Sequence, residues 1–347
     1  MKKIRLYKLV PWRRKTEKPS LPSRITNETV AEHREQILAG GRRFKYPVQY
    51  ARHKLVLNTV IIAFVSVLLL AGLAFQQLYF AQNSDDFMYR FTQLVPVPVA
   101  TIASEPVRYS DYLMQYRASE FWLRKYDETK LDSADGRRLL AGIKRQVLDN
   151  AEANAYAAKL AREMHITVTT ADVNNAVARK RNTADGQITQ EAYDASTMML
   201  YGWSPAEYRQ AIKESLVKAK VAFAIDTNAK DLADKASSLI ASGKDLGAVA
   251  SALGNGVAIQ SPGLIDTTSS FSGLNVSNVA ALPLNKVSGP LKSSTDDGYY
   301  FVKVTQKTDT QVNFDFIEIK LTAFNAKLAD LKKTHQIHEF ITINGAQ

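Results

Sequence analysis

The sequence predicts an α+β protein with a single transmembrane helix, followed by a helical module and then a small α/β module. Three features lead to this prediction. Residues 55–75 contain no charged side chain. Helical patterns with few Gly or Pro residues fill most of residues 110–224. Beyond residue 226 the composition shifts toward Gly, Ser, Thr and Asn, and alternating strand patterns follow.

The uncharged run from Leu55 to Phe75 has the length of a membrane span. At about 1.5 Å per residue it makes a helix of roughly 31 Å, close to the hydrocarbon core of about 30 Å. Gln76, Gln77, Tyr79 and Phe80 follow as an expected interfacial collar, with the aromatic rings at headgroup depth. We therefore predict a transmembrane signal anchor over residues 55–80. The alternative, a buried core helix, is rarely apolar on every face over this length.

The charge distribution predicts the orientation of this helix. Residues 1–54 carry 15 Lys/Arg and 4 Asp/Glu, a net charge of +11 that equals the net charge of the whole chain. The positive-inside rule places such a segment in the cytoplasm and residues 81–347 outside it. The basic region and the apolar run are both too long for a cleaved signal peptide, and no small-x-small site closes the run.

The basic tail, residues 1–54, is expected to be largely disordered, with one short helix at 29–38 that ends at Gly40-Gly41. Three interpretations of its charge stay open. The tail sets topology and attracts anionic lipid headgroups, it contacts the ribosome or a nucleic acid, or it binds a cytoplasmic protein. The sequence does not discriminate among them.

The composition excludes several kinds of site. The chain has no cysteine, which removes cysteine nucleophiles, thiolate zinc sites and iron–sulfur clusters. His335 and His338 have a spacing that could share a helical face, but no carboxylate stands at a matching spacing. We therefore predict neither a metal site nor a cofactor.

Local start and stop signals predict the elements of the helical module. A strand is expected at 97–102, with a turn over 103–107 and a helix capped by Ser110. A long helix follows from 135 to 164, and further helices begin at Thr169 and Thr189. Gly202 stops the helix that begins at Thr189, and the sequence Ser204-Pro205-Ala206-Glu207 is a capping box with Pro at the first helical position.

The second module is predicted to combine short helices with a hairpin. Helices are expected at 228–241 and 244–253, and strands at 299–305 and 312–321. The first of these strands follows a turn at Thr295-Asp296-Asp297-Gly298. A final helix at 323–333 and an apolar stretch at 338–343 complete the chain.

One cluster of large apolar side chains lies within 11 residues of the helical module. Its members are Met198, Met199, Leu200, Tyr201, Trp203 and Tyr208. Core packing explains such a cluster, and so does a soft apolar surface that adapts to unfolded polypeptide segments. We name these residues as candidates for peptide binding.

The order of elements and three short motifs resemble a known family. The motifs are IASEPVRYSDY at 102–112, MHITVTTADV at 164–173, and the helix that begins at Tyr208 and continues through Lys218. Together they resemble the N-terminal chaperone module of the SurA, PpiD and PrsA group. The resemblance implies a periplasmic chaperone fold whose partners are unfolded or newly secreted polypeptides.

The second module resembles a parvulin-type peptidyl-prolyl isomerase domain. The resemblance rests on residues 243–252 and on LPLNKVSGPLKSSTDDGYYFVKV at 282–304. The histidine that the family carries on its last strand is replaced by Tyr300 here, and the family's first strand is missing before residue 228. Residues 314–319 could complete the sheet as a permuted edge. With both active-site histidines lost, the resemblance implies a degenerate domain without efficient catalysis.

The resemblance divides the chain into five segments. These are a cytoplasmic tail at 1–54, a signal anchor at 55–80, a SurA-N-like helical module at 97–226, a degenerate parvulin-like module at 227–321, and a C-terminal helix and strand at 322–347 that return to the helical module. The implied function is that of a membrane-anchored extracytoplasmic chaperone without isomerase catalysis. A non-catalytic scaffold in an envelope complex and an active peptidyl-prolyl isomerase are the alternatives.

Overall fold

A computed structural model describes residues 25–45, 47–127, 130–183, 186–254, 256–295 and 297–343. The chain divides into two compact units, Met1–Leu73 and Ala74–Gln347. The helices are α1 (Asn27–Lys45), α2 (Pro47–Phe75), α3 (Asp86–Leu94), α4 (Tyr109–Tyr126), α5 (Ala134–Glu163), α6 (Thr170–Lys180), α7 (Gln190–Tyr201), α8 (Pro205–Ile225), α9 (Thr227–Ala241), α10 (Leu246–Leu253), α11 (Val276–Ala280) and α12 (Ala323–Lys333). The strands are β1 (Pro98–Ile102), β2 (Glu105–Arg108), β3 (Asn182–Thr183), β4 (Gly186–Gln187), β5 (Ile259–Gln260), β6 (Ile265–Asp266), β7 (Ser270–Phe271), β8 (Leu274–Asn275), β9 (Leu291–Lys292), β10 (Gly298–Lys307), β11 (Gln311–Lys320) and β12 (Ile337–Glu339).

In the described part of the basic tail, helix α1 is longer than the short helix expected at 29–38. Helix α1 continues through Gly40 and Gly41 instead of ending at them. Neither glycine takes the positive φ that ends helices, and a helical glycine costs only about 1 kcal/mol relative to alanine. Most of the basic clusters on which the tail's proposed contacts depend lie in residues 1–24, outside the described residues.

Helix α2 and the five-residue π-helical continuation Gln76–Phe80 contain the candidate membrane span. Residues Lys54–Phe80 form a helix long and apolar enough to cross a membrane, and its most apolar window is not buried in protein. A helix of this kind is consistent with the single-pass anchor that the sequence predicts.

The last turn before Phe80 belongs to the core of the second unit. The Leu78 side chain is 1% exposed, and the hydroxyl of Tyr109 donates a hydrogen bond to the Leu78 carbonyl oxygen at 2.6 Å. The hydroxyl of Tyr79 donates to the carbonyl oxygen of Pro98, also at 2.6 Å. This corrects the expectation of a simple aromatic collar, because Tyr79 is held by the folded domain.

Helices α3 to α8 and a three-stranded sheet in the order β12-β1-β2 build the helical module. The long helix α5 packs against α8, α4 and the β1–β2 hairpin. The caps predicted at Thr169, Thr189 and Ser204 are present, and Gly202 ends α7 with a φ of +68°.

Two local predictions in this module are corrected. Only Ala103 and Ser104 form the turn, and Pro106 lies in β2, where an edge strand tolerates a residue without an N–H. Helix α4 begins at Tyr109 without a side-chain cap. Ser110 lies buried inside the first turn and donates to Asp111 at 3.1 Å.

The second module is centred on the long antiparallel pair β10 and β11 in a sheet of order β5-β11-β10-β9. Strand β11 is an interior strand and not the permuted edge considered from the sequence, because β5 and β6 pair with its free side. Alternating side chains divide the sheet between two cores. Phe301 and Ile317 face the core shared with the helices, whereas Val302 and Phe316 face the core formed with α11.

Asp226 connects the two modules. Its carboxylate accepts hydrogen bonds from the backbone N–H groups of Ala229 (2.9 Å), Thr322 (2.6 Å) and Ala323 (2.9 Å), so it caps α9 and fixes the start of α12. Helix α12 packs on α8, and β12 then pairs antiparallel with β1. The last strand of the described residues, β12, therefore lies beside the first, β1.

Candidate functional site

The helical module contains a cavity of about 720 Å³ between α4, α5 and α8. A second cavity of about 560 Å³ lies beside it, between α3, α4 and the start of α8. Ala118, Tyr201 and Trp203 contribute to the lining of both cavities. Of the six peptide-binding candidates, Tyr201 and Trp203 therefore line both cavities and Met198 lines the second.

Trp203 and Tyr201 form the wall between the cavities. Their rings stack with centroids 5.1 Å apart, and the Trp203 Nε1–H donates to the backbone carbonyl oxygen of Met114 at 2.9 Å. The left-handed Gly202 between them lets the chain turn sharply. A Cβ at this position would come within 3.2 Å of the Phe121 ring, so the turn also requires the small size of glycine.

Tyr208 lies beneath this wall and not on the surface. It is 9% exposed, stacks 6.4 Å from Tyr201, and its hydroxyl is 2.6 Å from that of Tyr193. Burial, together with the Tyr193 hydrogen bond, raises the pKa of Tyr208, so it stays neutral. Of the six candidates, Tyr208 therefore supports the wall from within and is not placed to contact a ligand directly.

The other candidates at the end of α7 are exposed. Met198 is 51% exposed, Met199 55%, and Leu200 and Tyr201 each 40%. The hydroxyl of Tyr126 donates to the backbone carbonyl oxygen of Met199 at 2.9 Å, which holds this end of the helix against α4. All four side chains at this end of α7 are thus exposed and apolar, and we refer to residues 198–201 as the α7 rim.

The first cavity also has a polar wall that the sequence analysis missed. Gln146, Asn150 and Asn154 follow one another at intervals of four along α5 and line the cavity, with Gln115 of α4 nearby. This interval places side chains on one helix face. The recurrence of amide side chains every four residues is visible in the sequence and could have predicted this polar wall.

Glu214 of α8 lies in the same wall. Its carboxylate accepts hydrogen bonds from Asn154 Nδ2 at 3.1 Å and from Gln210 Nε2 at 2.8 Å. Burial, with a smaller contribution from the charge of Asp111, raises the pKa of Glu214 to about 7. The Glu214 side chain in the wall of the cavity therefore changes from neutral to negative near neutral pH.

The second cavity is lined by more charge. Arg117 lies 4.8 Å from the centre of the Tyr89 ring and pairs with Asp86 at 2.7 Å. Glu207, the acidic residue of the capping box, accepts a hydrogen bond from the Tyr89 hydroxyl at 2.6 Å. These contacts connect α3 to the start of α8, and they leave Arg117 Nη1 buried without a hydrogen-bond partner among the described residues.

Tyr300, the residue for which the sequence suggested a resemblance to the parvulin histidine position, lies in the interior of the second module. It is 1% exposed, and its hydroxyl donates to Glu318 Oε1 at 2.9 Å. The turn that precedes its strand includes Asp296, which lies outside the described residues. His335 lies in the turn after α12 and His338 in β12, so the two do not share a helical face as their spacing had suggested.

Comparison with known families gives one match. A family model described as the SurA-like N-terminal domain matches residues 46–222, about half of the chain. It includes the apolar helix and the α7 rim and ends within α8. Neither the curated proteins nor the solved structures gave a match.

Proposed function

Since the chain belongs to the SurA-like N-terminal domain family, a group of chaperone-like periplasmic folding factors, we propose that it is a membrane-anchored extracytoplasmic chaperone. Its helical module would hold unfolded or newly translocated polypeptide. The observation that carries this proposal is the α7 rim, a run of exposed apolar side chains of which Tyr201 lines both cavities and Met198 lines the second.

The chemistry of the α7 rim suits clients of varied sequence. Methionine side chains are unbranched and polarisable, so they adapt to differently shaped apolar groups. Tyr201 adds a large flat surface whose position is fixed by stacking on Trp203. Contacts of this kind select for apolar character and not for a particular sequence.

The amide wall of the first cavity offers a complementary contact. Each carboxamide of Gln146, Asn150 and Asn154 can both donate and accept hydrogen bonds. An extended chain presents an N–H and a C=O at nearly every residue, whatever its side chains. A client whose apolar side chains occupy the α7 rim would therefore find backbone partners in the adjoining cavity.

The membrane anchor would place this site outside the cytoplasm. The charge asymmetry around the span favours a cytoplasmic N-terminus. The domain that begins immediately after the span would then meet polypeptides as they leave the membrane.

The second module would brace the helical module without catalysis, as a degenerate parvulin-like domain. Burial of Tyr300 supports this, because a side chain that is 1% exposed does not reach a substrate. The ring of Phe223 in α8 packs edge-on against Tyr299 of β10 with centroids 5.0 Å apart. Such contacts join the two modules through one core.

The test uses the full chain in lipid nanodiscs and two unrelated aggregating clients. We expect the chain to suppress aggregation of both, and the double variant Met198→Ser, Tyr201→Ser to lose most of this effect. Leu264→Ser is the matched control, since Leu264 is 48% exposed in the second module.

The same preparation is added to a client whose refolding is limited by proline isomerisation. No acceleration is expected, and acceleration that Tyr300→Phe abolishes would establish an isomerase instead. A chain that ignores both aggregating clients and binds one folded partner would be a scaffold, and the chaperone proposal would fail.

A further inference from the structure

The end of the membrane helix and the C-terminal segment of the chain lie side by side. Gln82 Nε2 donates to the carbonyl oxygen of Thr342 at 2.7 Å, and the ring of Phe340 meets the ring of Tyr79 edge-on with centroids 6.5 Å apart. The backbone N–H of Phe340 donates to the carbonyl oxygen of Val99 at 2.9 Å. The C-terminal segment is thus fixed beside the last turn of the anchor.

The length of the anchor fixes where this contact lies with respect to the bilayer. The helix Lys54–Phe80 has 27 residues, whereas about 20 residues cross the hydrocarbon core. The last turn, with Leu78 and Tyr79, is held by the folded domain and therefore lies at or beyond the membrane surface. A residue in contact with Tyr79 must then lie close to the headgroups.

Phe340 and Phe80 are large apolar side chains that the domain leaves uncovered at this place. Phe340 is 46% exposed while its neighbour Ile341 is 3% exposed, so the chain turns one side chain into the core and the other outward. Phe80 is 75% exposed, with its ring centroid 5.9 Å from that of Phe75. Exposed aromatic rings next to a membrane helix are typical of the bilayer interface.

The charges around Phe340 are compatible with a lipid surface. Glu339, its acidic neighbour, is paired with Arg145 at 2.8 Å. Lys144 donates to Gln82 Oε1 at 3.0 Å and so brings a cation to the same side of the domain. Within the described residues 337–343 the acidic side chain is that of Glu339, and its pairing reduces the repulsion of anionic headgroups.

We propose that Phe340 and Phe80 insert into the interfacial layer of the bilayer that carries the anchor. The C-terminal segment is then a second membrane contact of the folded domain, in addition to the anchor. This inference rests on the proposed membrane anchor and does not depend on client binding.

The absence of cysteine in the chain allows a direct test by single-site labelling. A nitroxide is attached at Phe340→Cys in the full chain, reconstituted in vesicles of phosphatidylcholine and phosphatidylglycerol, and its accessibility to oxygen and to a water-soluble nickel chelate is compared. Phe80→Cys is the second site. Leu68→Cys in the span serves as the lipid reference and Leu264→Cys in the second module as the water reference.

We expect the labels at 340 and 80 to have an oxygen-to-nickel ratio above that at 264 and approaching that at 68. A ratio at 340 equal to that at 264, with 68 in lipid, overturns the second contact and leaves the anchor intact. A label at 340 that is shielded from both reagents indicates a protein partner and also overturns it. Water-like accessibility at 68 overturns the anchor itself.

Discussion

The indole N–H of Trp203 donates a hydrogen bond to the backbone carbonyl oxygen of Met114, 2.9 Å away on α4. This bond links the turn between α7 and α8 to α4, the helix that lines both cavities. Trp203 in turn positions Tyr201, the aromatic member of the α7 rim. The apolar rim is therefore held by a specific polar contact behind it.

Trp203→Phe keeps an aromatic ring but removes this bond. We expect a loss of about 1 kcal/mol in the free energy of unfolding, the typical net value of one hydrogen bond, and weaker binding of unfolded clients because Tyr201 loses its fixed support. Thermal unfolding and client titration with the full chain measure the two effects. An unchanged client affinity would show that the position of Tyr201 does not depend on this bond.

Leu78→Ala tests whether the end of the candidate membrane helix is part of the domain core. Removing a buried leucine side chain leaves a cavity, and we expect a loss of about 2–5 kcal/mol in the free energy of unfolding. Leu73→Ala is the control, since Leu73 is 56% exposed in the protein. Equal effects of the two substitutions on thermal unfolding would contradict the docked helix end.

Glu214→Gln tests the pH dependence of the amide wall. Burial raises the folded-state pKa of Glu214 to about 7 from an ordinary value of 4.5. Between pH 4.5 and pH 7 the folded chain therefore keeps a proton on Glu214 that the unfolded chain has released. Stability from this group is therefore present at low pH and is lost as the pH rises through 7. We expect the thermal unfolding temperature of Glu214→Gln to fall less between pH 5 and 8 than that of the parent chain.

The charge of Glu214 should also affect client binding. Below pH 7 the Glu214 side chain is neutral, and above it a carboxylate lies beside the amides. We expect weaker binding of apolar, uncharged peptides above pH 7 in the parent chain and a flat profile in Glu214→Gln. The opposite slope in a peptide titration would contradict the role of this wall.

Asp226→Asn tests the joint between the modules. Burial acts to raise the pKa of Asp226, but the N–H groups of Ala323, Ala229 and Thr322 outweigh it and hold the pKa below its usual range. This stability is present above pH 4 and is lost as the pH falls below it. We expect a loss of about 2–4 kcal/mol at neutral pH, since bonds to a charged group are the stronger ones.

The matched control for Asp226 is Asp245→Asn at the start of α10. Asp245 is exposed and accepts a single capping bond from Ala248 N at 2.8 Å. Asparagine is nearly as good as aspartate at such a position, so little stability should be lost there. Similar losses at the two sites would show that Asp226 is only a helix cap and not a joint between modules.

Most of the helices and strands that were predicted correctly follow from sequence patterns among residues close together in the chain. The starts of α6, α7 and α8 follow from Thr169, Thr189 and Ser204, because a capping side chain and its backbone partner are three residues apart. The two long strands of the second module were likewise predicted from their alternating apolar residues.

Features that depend on distant partners were missed. Pro106 lies in a strand because β1 pairs with β2. Leu78 is buried in a core that includes Tyr109, which lies 31 residues later in the chain. The strands β5 and β6 are two residues each and exist by pairing with β11. In the candidate site the α7 rim was predicted from composition, whereas the amide wall requires knowing that α5 faces α4 and α8.

Site-specific photocrosslinking tests the central claim most directly. A benzophenone amino acid replaces Tyr201 in the full chain in nanodiscs, and the same amino acid in place of Leu264 is the control. An unfolded, radiolabelled client is then added, and the samples are irradiated. The account predicts crosslinks to the client from position 201, few from 264, and competition by a second, unrelated unfolded chain. Equal crosslinking at both positions, or none at 201, would contradict a client site at the α7 rim.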